Sequence, residues 1–171
     1  MPERVVASVG VTAGNTVADI GTGSGYFLPA LSAAVGGTGQ VVGEDIDPAL
    51  LEIAHQRIER GPLANTVTRL GTANDPLLEP GHYDLIFLVD TYHHIADRPA
   101  FLAHVRAALR AGTGRFVVID FRDGDLPVGP PPGHKLPRAQ VDRELADNGF
   151  ALDREETFLP YQYLLVLRAN R

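Results

Sequence analysis

The chain has no cysteine. That absence removes disulfides, thiolate metal sites and cysteine nucleophiles from consideration together. Nor does it hold an apolar run near the roughly 20 residues that a membrane-spanning helix requires. The opening residues, MPERVVASVGV, lack a cationic stretch followed by a long apolar one, so no export signal is expected, and the expected location is cytoplasmic. Basic runs are missing as well. A formal net charge of -6 with no compensating cationic segment argues against nucleic acid as a partner and favours a small molecule. What is present is ordinary for a globular protein: 171 residues, 44% hydrophobic and 21% charged. The length predicts one domain over residues 1–171 with a single core, as a monomer or homodimer.

Two kinds of segment alternate along the chain. TVADI, QVVGEDI, TVTRL, YDLIFLVD and RFVVIDF are β-branched runs that read as buried parallel strands. Between them, YFLPALSAAV, PALLEIAHQRIER and RPAFLAHVRAALR carry helical spacing. Asp47 and Asp97 stand where helix N-caps belong, and Gly61 and Gly112 follow two of the helices as stops. This alternation predicts an α/β fold, a doubly wound Rossmann-like sheet flanked by helices, with right-handed crossovers. After Phe121 the pattern breaks. Residues 122–137, RDGDLPVGPPPGHKLP, hold five of the 13 prolines and predict an irregular loop near the pocket. A helix is expected over RAQVDRELADNGF. ALDREETF and YQYLLVLRAN then read as two strands joined by only Leu159-Pro160, a connection too short for a crossover helix, so they must be antiparallel.

The segment VADIGTGSGYF puts glycine at positions 21, 23 and 25, directly behind the first strand. Glycine costs backbone entropy, so a run of it needs a reason. A turn of this kind exposes backbone N–H groups to a ligand at a helix N-terminus. The dinucleotide fingerprint G-x-G-x-x-G would require glycine where Tyr26 stands, which disfavours a nicotinamide-dependent oxidoreductase. A phosphate-binding P-loop is excluded because no Gly-Lys-Ser/Thr follows. Asp19 in the mouth of the loop would repel a pyrophosphate and suit an ammonium group. Asp45 ends the second strand, 20 residues past Gly25, where a carboxylate can accept both hydroxyls of a ribose. Asp47 is the better helix cap of the two acids, which leaves Asp45 for the ligand.

VADIGTGSGYF, VVGEDIDPALLEIA, YDLIFLVDTYHHIAD and LRAGTGRFVVIDF together resemble the ordered motifs of class I S-adenosylmethionine-dependent methyltransferases. The resemblance covers nearly the whole chain, and LPVGPPPGHKL with LPYQYLLV is similar to the ending of small bacterial members. It implies a seven-stranded sheet of order 3-2-1-4-5-7-6 with the last strand antiparallel, and S-adenosyl-L-methionine as cofactor. Residue by residue, it places Asp19, Gly21, Thr22, Gly23, Gly25 and Tyr26 at the methionine and ribose, and Asp45 and Ile46 at the ribose. Thr72, Ala73 and Asn74 would flank adenine, and Asp90 would complete the donor site. Thr72 departs from the aspartate common at its position in the family. Gly112-Thr113-Gly114 departs too, in a turn with no bearing on function.

The function implied is methyl transfer to a small-molecule acceptor at oxygen, nitrogen or sulfur. A catalytically silent module that binds the cofactor would keep the same glycine loop and Asp45. Arsenite is a poor acceptor candidate, since that chemistry relies on cysteine thiolates. The donor brings its own leaving group, so the protein must chiefly align the reactants, and a base is needed only for a protonated nucleophile. Tyr92 and His93, at the rim of strand four, are the expected catalytic pair, with His94 supporting the turn. His94, Asp120 and His134 are the expected substrate-side residues. Asp90 and Asp120 end strands four and five, but Phe121 and Arg122 supply no third oxygen ligand, so no metal is expected. Only a short segment precedes the first strand, which predicts an open pocket, or one completed by the proline-rich loop or a second subunit.

Overall fold

Two aspartates begin two of the helices by direct hydrogen bonds to their first turns. Asp47 Oδ1 accepts from the Ala49 amide at 2.8 Å and Asp97 Oδ1 from the Ala100 amide at 3.1 Å. In the computed structural model, which describes residues 2–170, they open α3 (Pro48–Arg60) and α4 (Arg98–Ala108). The remaining helices are α1 (Pro2–Ser8), α2 (Leu28–Val35) and α5 (Arg138–Asp147). The strands are β1 (Thr16–Ile20), β2 (Gln40–Asp45), β3 (Thr66–Leu70), β4 (Leu85–Val89), β5 (Arg115–Phe121), β6 (Phe150–Glu156) and β7 (Gln162–Ala169). Among the described residues no helix is long and apolar enough to cross a membrane.

All seven strands form one sheet in the order β3-β2-β1-β4-β5-β7-β6. The first five are parallel, and β7 runs antiparallel to both β5 and β6. Strand alternation divides the core between the two faces of the sheet. Ala18, Ile20, Ile86, Leu88 and Val118 pack on Phe101 and Leu102 of α4 and Val141 and Leu145 of α5. Val17, Val41, Phe87, Val117 and Ile119 pack on Leu28 and Leu31 of α2 and Val5 and Val6 of α1.

The structure differs from the sequence reading at several points. β4 begins at Leu85, and just before it the Asp84 side chain accepts the Thr16 amide at 2.8 Å. The β6–β7 connection runs over 157–161, longer than Leu159-Pro160 alone. The segment before β1 contains α1, whose valines Val5 and Val6 are buried on the sheet. The proline-rich stretch 122–137 is irregular apart from one 3-10 turn, Pro132–His134. It is pinned at both ends. Lys135 Nζ donates to the Gly124 carbonyl at 2.9 Å, and Gly129 (φ +90°) lies so close to the Phe121 ring that a side chain there would collide with it.

Candidate active site at the carboxyl ends of strands one, two and four

The three glycines behind β1 all adopt left-handed backbone, with φ of +69° at Gly21, +56° at Gly23 and +78° at Gly25. Their reasons differ. A Cβ on Gly21 would run into Thr91, and one on Gly25 would come within 2.8 Å of Leu28 Cδ1. Gly23 has nothing within 4 Å of its would-be Cβ, because it faces an open cleft of about 350 Å3. Beneath the loop, Asp19 is buried, and its Oδ2 accepts from Thr22 Oγ1 at 2.7 Å. Burial pushes the Asp19 carboxyl up to about 7, against the pull of the Thr22 hydrogen bond and with a further push from Asp45.

Asp45 is tied to the same loop. Its Oδ2 accepts the Gly23 amide at 2.8 Å and its Oδ1 the Asp47 amide at 2.9 Å. Each oxygen keeps further capacity to accept, and Asp45 lines the cleft. Ile46, Thr72 and Ala73 line that cleft as well, together with Ile20, Thr91, Ile95 and Phe101. Asn74 is exposed and is not part of the lining, and the Thr72 hydroxyl is used inside its own turn, bonded to the Asp75 carbonyl and amide. Tyr26 also lies outside the cleft. It is 57% exposed and borders a second hollow of about 210 Å3, shared with Val5, Phe27, Asp90 and Gln162. There Asp90 (φ +51°) takes both its oxygens to Gln162 Nε2, at 2.8 and 2.9 Å. Burial raises the Asp90 carboxyl, with Gln162 opposing and Asp120 adding to the rise. A larger hollow of about 650 Å3, beside the starts of β2 and β3, is lined by no titratable side chain.

On the rim after β4 the structure puts His94, expected on the substrate side, in the cleft lining, and leaves Tyr92 and His93, the expected catalytic pair, outside it. These residues form a 3-10 turn, which rotates successive side chains by about 120°. Three residues therefore point three ways. Tyr92 is fully buried in the core, its hydroxyl donates to Glu144 Oε2 at 3.0 Å, and burial pushes the phenol well above its ordinary range. It cannot meet an acceptor. His93 turns to Asp120: Nδ1 sits 2.8 Å from Oδ1 and 3.0 Å from Oδ2, and the two side chains are only 5% and 4% exposed. That carboxylate fixes the proton on Nδ1. Asp120 also accepts the His93 and Phe121 amides, so it positions His93 and the turn and does not face a substrate. His94 is the histidine that lines the cleft. Burial lowers its pKa, His93 and His134 lower it further, and Asp120 opposes them. His134 is exposed, off the lining, on the proline-rich segment.

Among the described residues no cluster of histidine, aspartate and glutamate side chains has the geometry of a metal site. Of the lining residues that escaped the sequence reading, one is ionisable. Glu44 is 2% exposed, lines the cleft, and its Oε1 is buried with no hydrogen-bond partner. The signal was available, as a second acid directly before Asp45 in the strand QVVGEDI.

Residues 18–116 match the model of the Methyltransferase domain family, more than half of the chain. The chain belongs to the class I S-adenosylmethionine-dependent methyltransferases. The demethylmenaquinone methyltransferase of Tropheryma whipplei (strain Twist) is 35% identical over 114 residues, covering 66% of this chain and 44% of that protein. The ubiquinone/menaquinone biosynthesis C-methyltransferase UbiE of Pseudomonas putida (strain F1) is 29% identical over 113 residues, covering 66% and 44%. The matched stretch thus spans less than half the length of these curated relatives. A SAM-dependent methyltransferase from Aquifex aeolicus superposes with a TM-score of 0.92 at 27% identity, over 97% of this chain and 88% of its own. Phosphoethanolamine N-methyltransferase 2 of Haemonchus contortus, solved with S-adenosyl-L-methionine, shares the fold at a TM-score of 0.77 and 21% identity, over 93% of this chain and 38% of its own. The cofactor of this methyltransferase chain is S-adenosylmethionine, and the cleft fits it on two observations. Gly23 leaves bare backbone facing the space, and Asp45, which lines it, keeps capacity to accept.

Proposed function

We propose that the chain transfers a methyl group to a small-molecule acceptor that meets the cleft at His94, with His94 as the proton acceptor. The orientation of His94 carries this reading: of the two adjacent imidazoles, it alone lines the cleft. Its lowered pKa supports the role, since the ring is then unprotonated and able to take a proton at neutral pH. Gly21, Gly23 and Asp45 would hold the cofactor in the cleft, with Asp19 supporting the loop from beneath through Thr22. The bound sulfonium supplies an activated methyl group. Orientation and the exclusion of water then fall to the protein, and the segment carrying His134 lies close enough to depress the His94 pKa. The quinone-biosynthesis relatives favour a quinol ring as acceptor, which adds methylation at carbon to the outcomes at oxygen, nitrogen or sulfur.

The test is turnover with S-adenosylmethionine and a panel of quinols, phenols and amines, read by mass spectrometry. Production of S-adenosylhomocysteine in equal amount with a methylated acceptor is the expected result. Tight cofactor binding with no product from any acceptor would make the chain a silent binding module instead.

A further inference from the structure

Glu44 sits one residue before Asp45 on β2, and strand alternation gives it the opposite face of the sheet, shared with Val42. There it lies under the segment after β3. Gly71 approaches so closely that any side chain at that position would collide with Glu44 Oε1. The carboxyl is therefore enclosed by backbone above and sheet below, and it borders the cleft between Ile20 and Thr72. A buried carboxyl oxygen without a partner is costly in any folded protein. No neighbouring side chain relieves it. Arg69, its register partner on β3, is turned to the Leu77 carbonyl and Glu79, and the Thr72 hydroxyl is committed to Asp75. The charged groups around it are Asp45, Asp19 and Asp75, all of its own sign. The cleft that Glu44 lines is the side from which a partner can reach its carboxyl.

We propose that Glu44, as a neutral carboxylic acid, reads the adenine edge of the cofactor, its O–H donating to a ring nitrogen and its carbonyl oxygen accepting from an N–H. This rests on the adenosyl group occupying the cleft beside Asp45. A carboxylic acid offers one donor and one acceptor, the complement of an adenine edge, which pairs a ring-nitrogen acceptor with an amino donor. Ile20, Ile95 and Phe101 add apolar walls suited to a flat ring. The protonation state follows from the surroundings. Burial pushes the Glu44 carboxyl up to about 8, the Gly21 amide opposes, and Asp45, Asp19 and Asp75 push it further.

The experiment measures S-adenosylhomocysteine affinity by calorimetry for wild type, Glu44→Gln, Glu44→Leu and Asp45→Ala, from pH 6 to pH 9. Glutamine keeps a donor and an acceptor, so its affinity at pH 7 should stay within about threefold of wild type. Leucine should lose about tenfold, the worth of one good hydrogen bond. The wild-type to Glu44→Gln affinity ratio should fall as pH rises through 8, because only the wild type loses its donor by ionisation. Taking the ratio cancels His94 and the ligand's own amine, which titrate alike in both proteins. A leucine variant that is folded by circular dichroism and binds within twofold of wild type overturns the proposal, as does a ratio that does not change with pH. If Asp45→Ala also binds normally, the placement of the adenosyl group in this cleft has failed. If Asp45→Ala binds weakly while Glu44→Leu binds well, only the role of Glu44 has.

Discussion

Replacing His94 by alanine removes an imidazole that lines the cleft, whereas replacing His93 removes one locked against Asp120. The two changes should separate cleanly. His94→Ala should leave cofactor affinity near wild type and lower turnover by about 10²–10⁴-fold, read with an acceptor identified from the panel. His93→Ala should act on the fold, because it strips a buried carboxylate of one partner while the two backbone amides stay. About 1–3 kcal/mol of stability should go, measured by thermal or denaturant unfolding. Wild-type stability in His93→Ala would return that imidazole to consideration as a catalyst. Gly23 is a third separable position. Gly23→Val puts a branched side chain into the cleft and a β-branched residue at φ +56°, so it should abolish calorimetric binding while the circular dichroism of the sheet survives. Single residues also show where sequence reasoning stopped. Gly23 and Asp45 were legible because their spacing from the first strand carries the chemistry. Which of His93 and His94 lines the cleft was not, because it depends on a three-residue turn whose rotation the sequence HH does not encode.

Elements read more easily than side chains where one residue type forces the geometry. Asp47 and Asp97 marked helix starts because a short acid before a helix satisfies orphan amides, and both bonds are present. The antiparallel β6–β7 pair was legible from the shortness of its connection, a matter of reach alone. α1 was not legible: seven residues with two adjacent valines give too little periodicity, and the helix is held by packing against the sheet. The proline-rich stretch was recognisable as irregular, but its anchoring was invisible, since a lysine eleven residues from a glycine carbonyl leaves no pattern. That anchor is testable. Lys135 is the chain's single lysine, and it is buried while bonding to Gly124. Lys135→Met keeps the apolar stem and deletes the bond. Hydrogen exchange over 122–137 should quicken, and the acceptor's KM should rise more than the cofactor's Kd. Unchanged exchange would show that Gly129 against Phe121 suffices to hold the stretch.

At the scale of the whole molecule, the carboxyls of the cleft govern the response to pH. Asp19 and Glu44 are raised from ordinary carboxylate values to about 7 and about 8, so the folded protein binds more protons than the unfolded chain between roughly pH 4 and 8. Their contribution to stability is complete below pH 4 and is lost as pH rises through 7 and 8, at about 1.4 kcal/mol per proton per pH unit. Urea unfolding of the protein without cofactor should show this decline, and Asp19→Asn should flatten its lower part. A stability that climbs steadily from pH 5 to pH 8 would contradict both shifts. The sheet order has a consequence in time. β6 has no neighbour except β7, and β7 is what closes the open edge of β5. Chain emerging in order from a ribosome therefore presents β6 before anything exists to pair with it. Until Gln162–Ala169 follows, the apolar flank of β5 stays an unpaired edge, open to a second nascent copy. Translation stalled after Pro160 should thus yield a sticky intermediate, and release of the chain through Ala169 should convert it to the finished sheet.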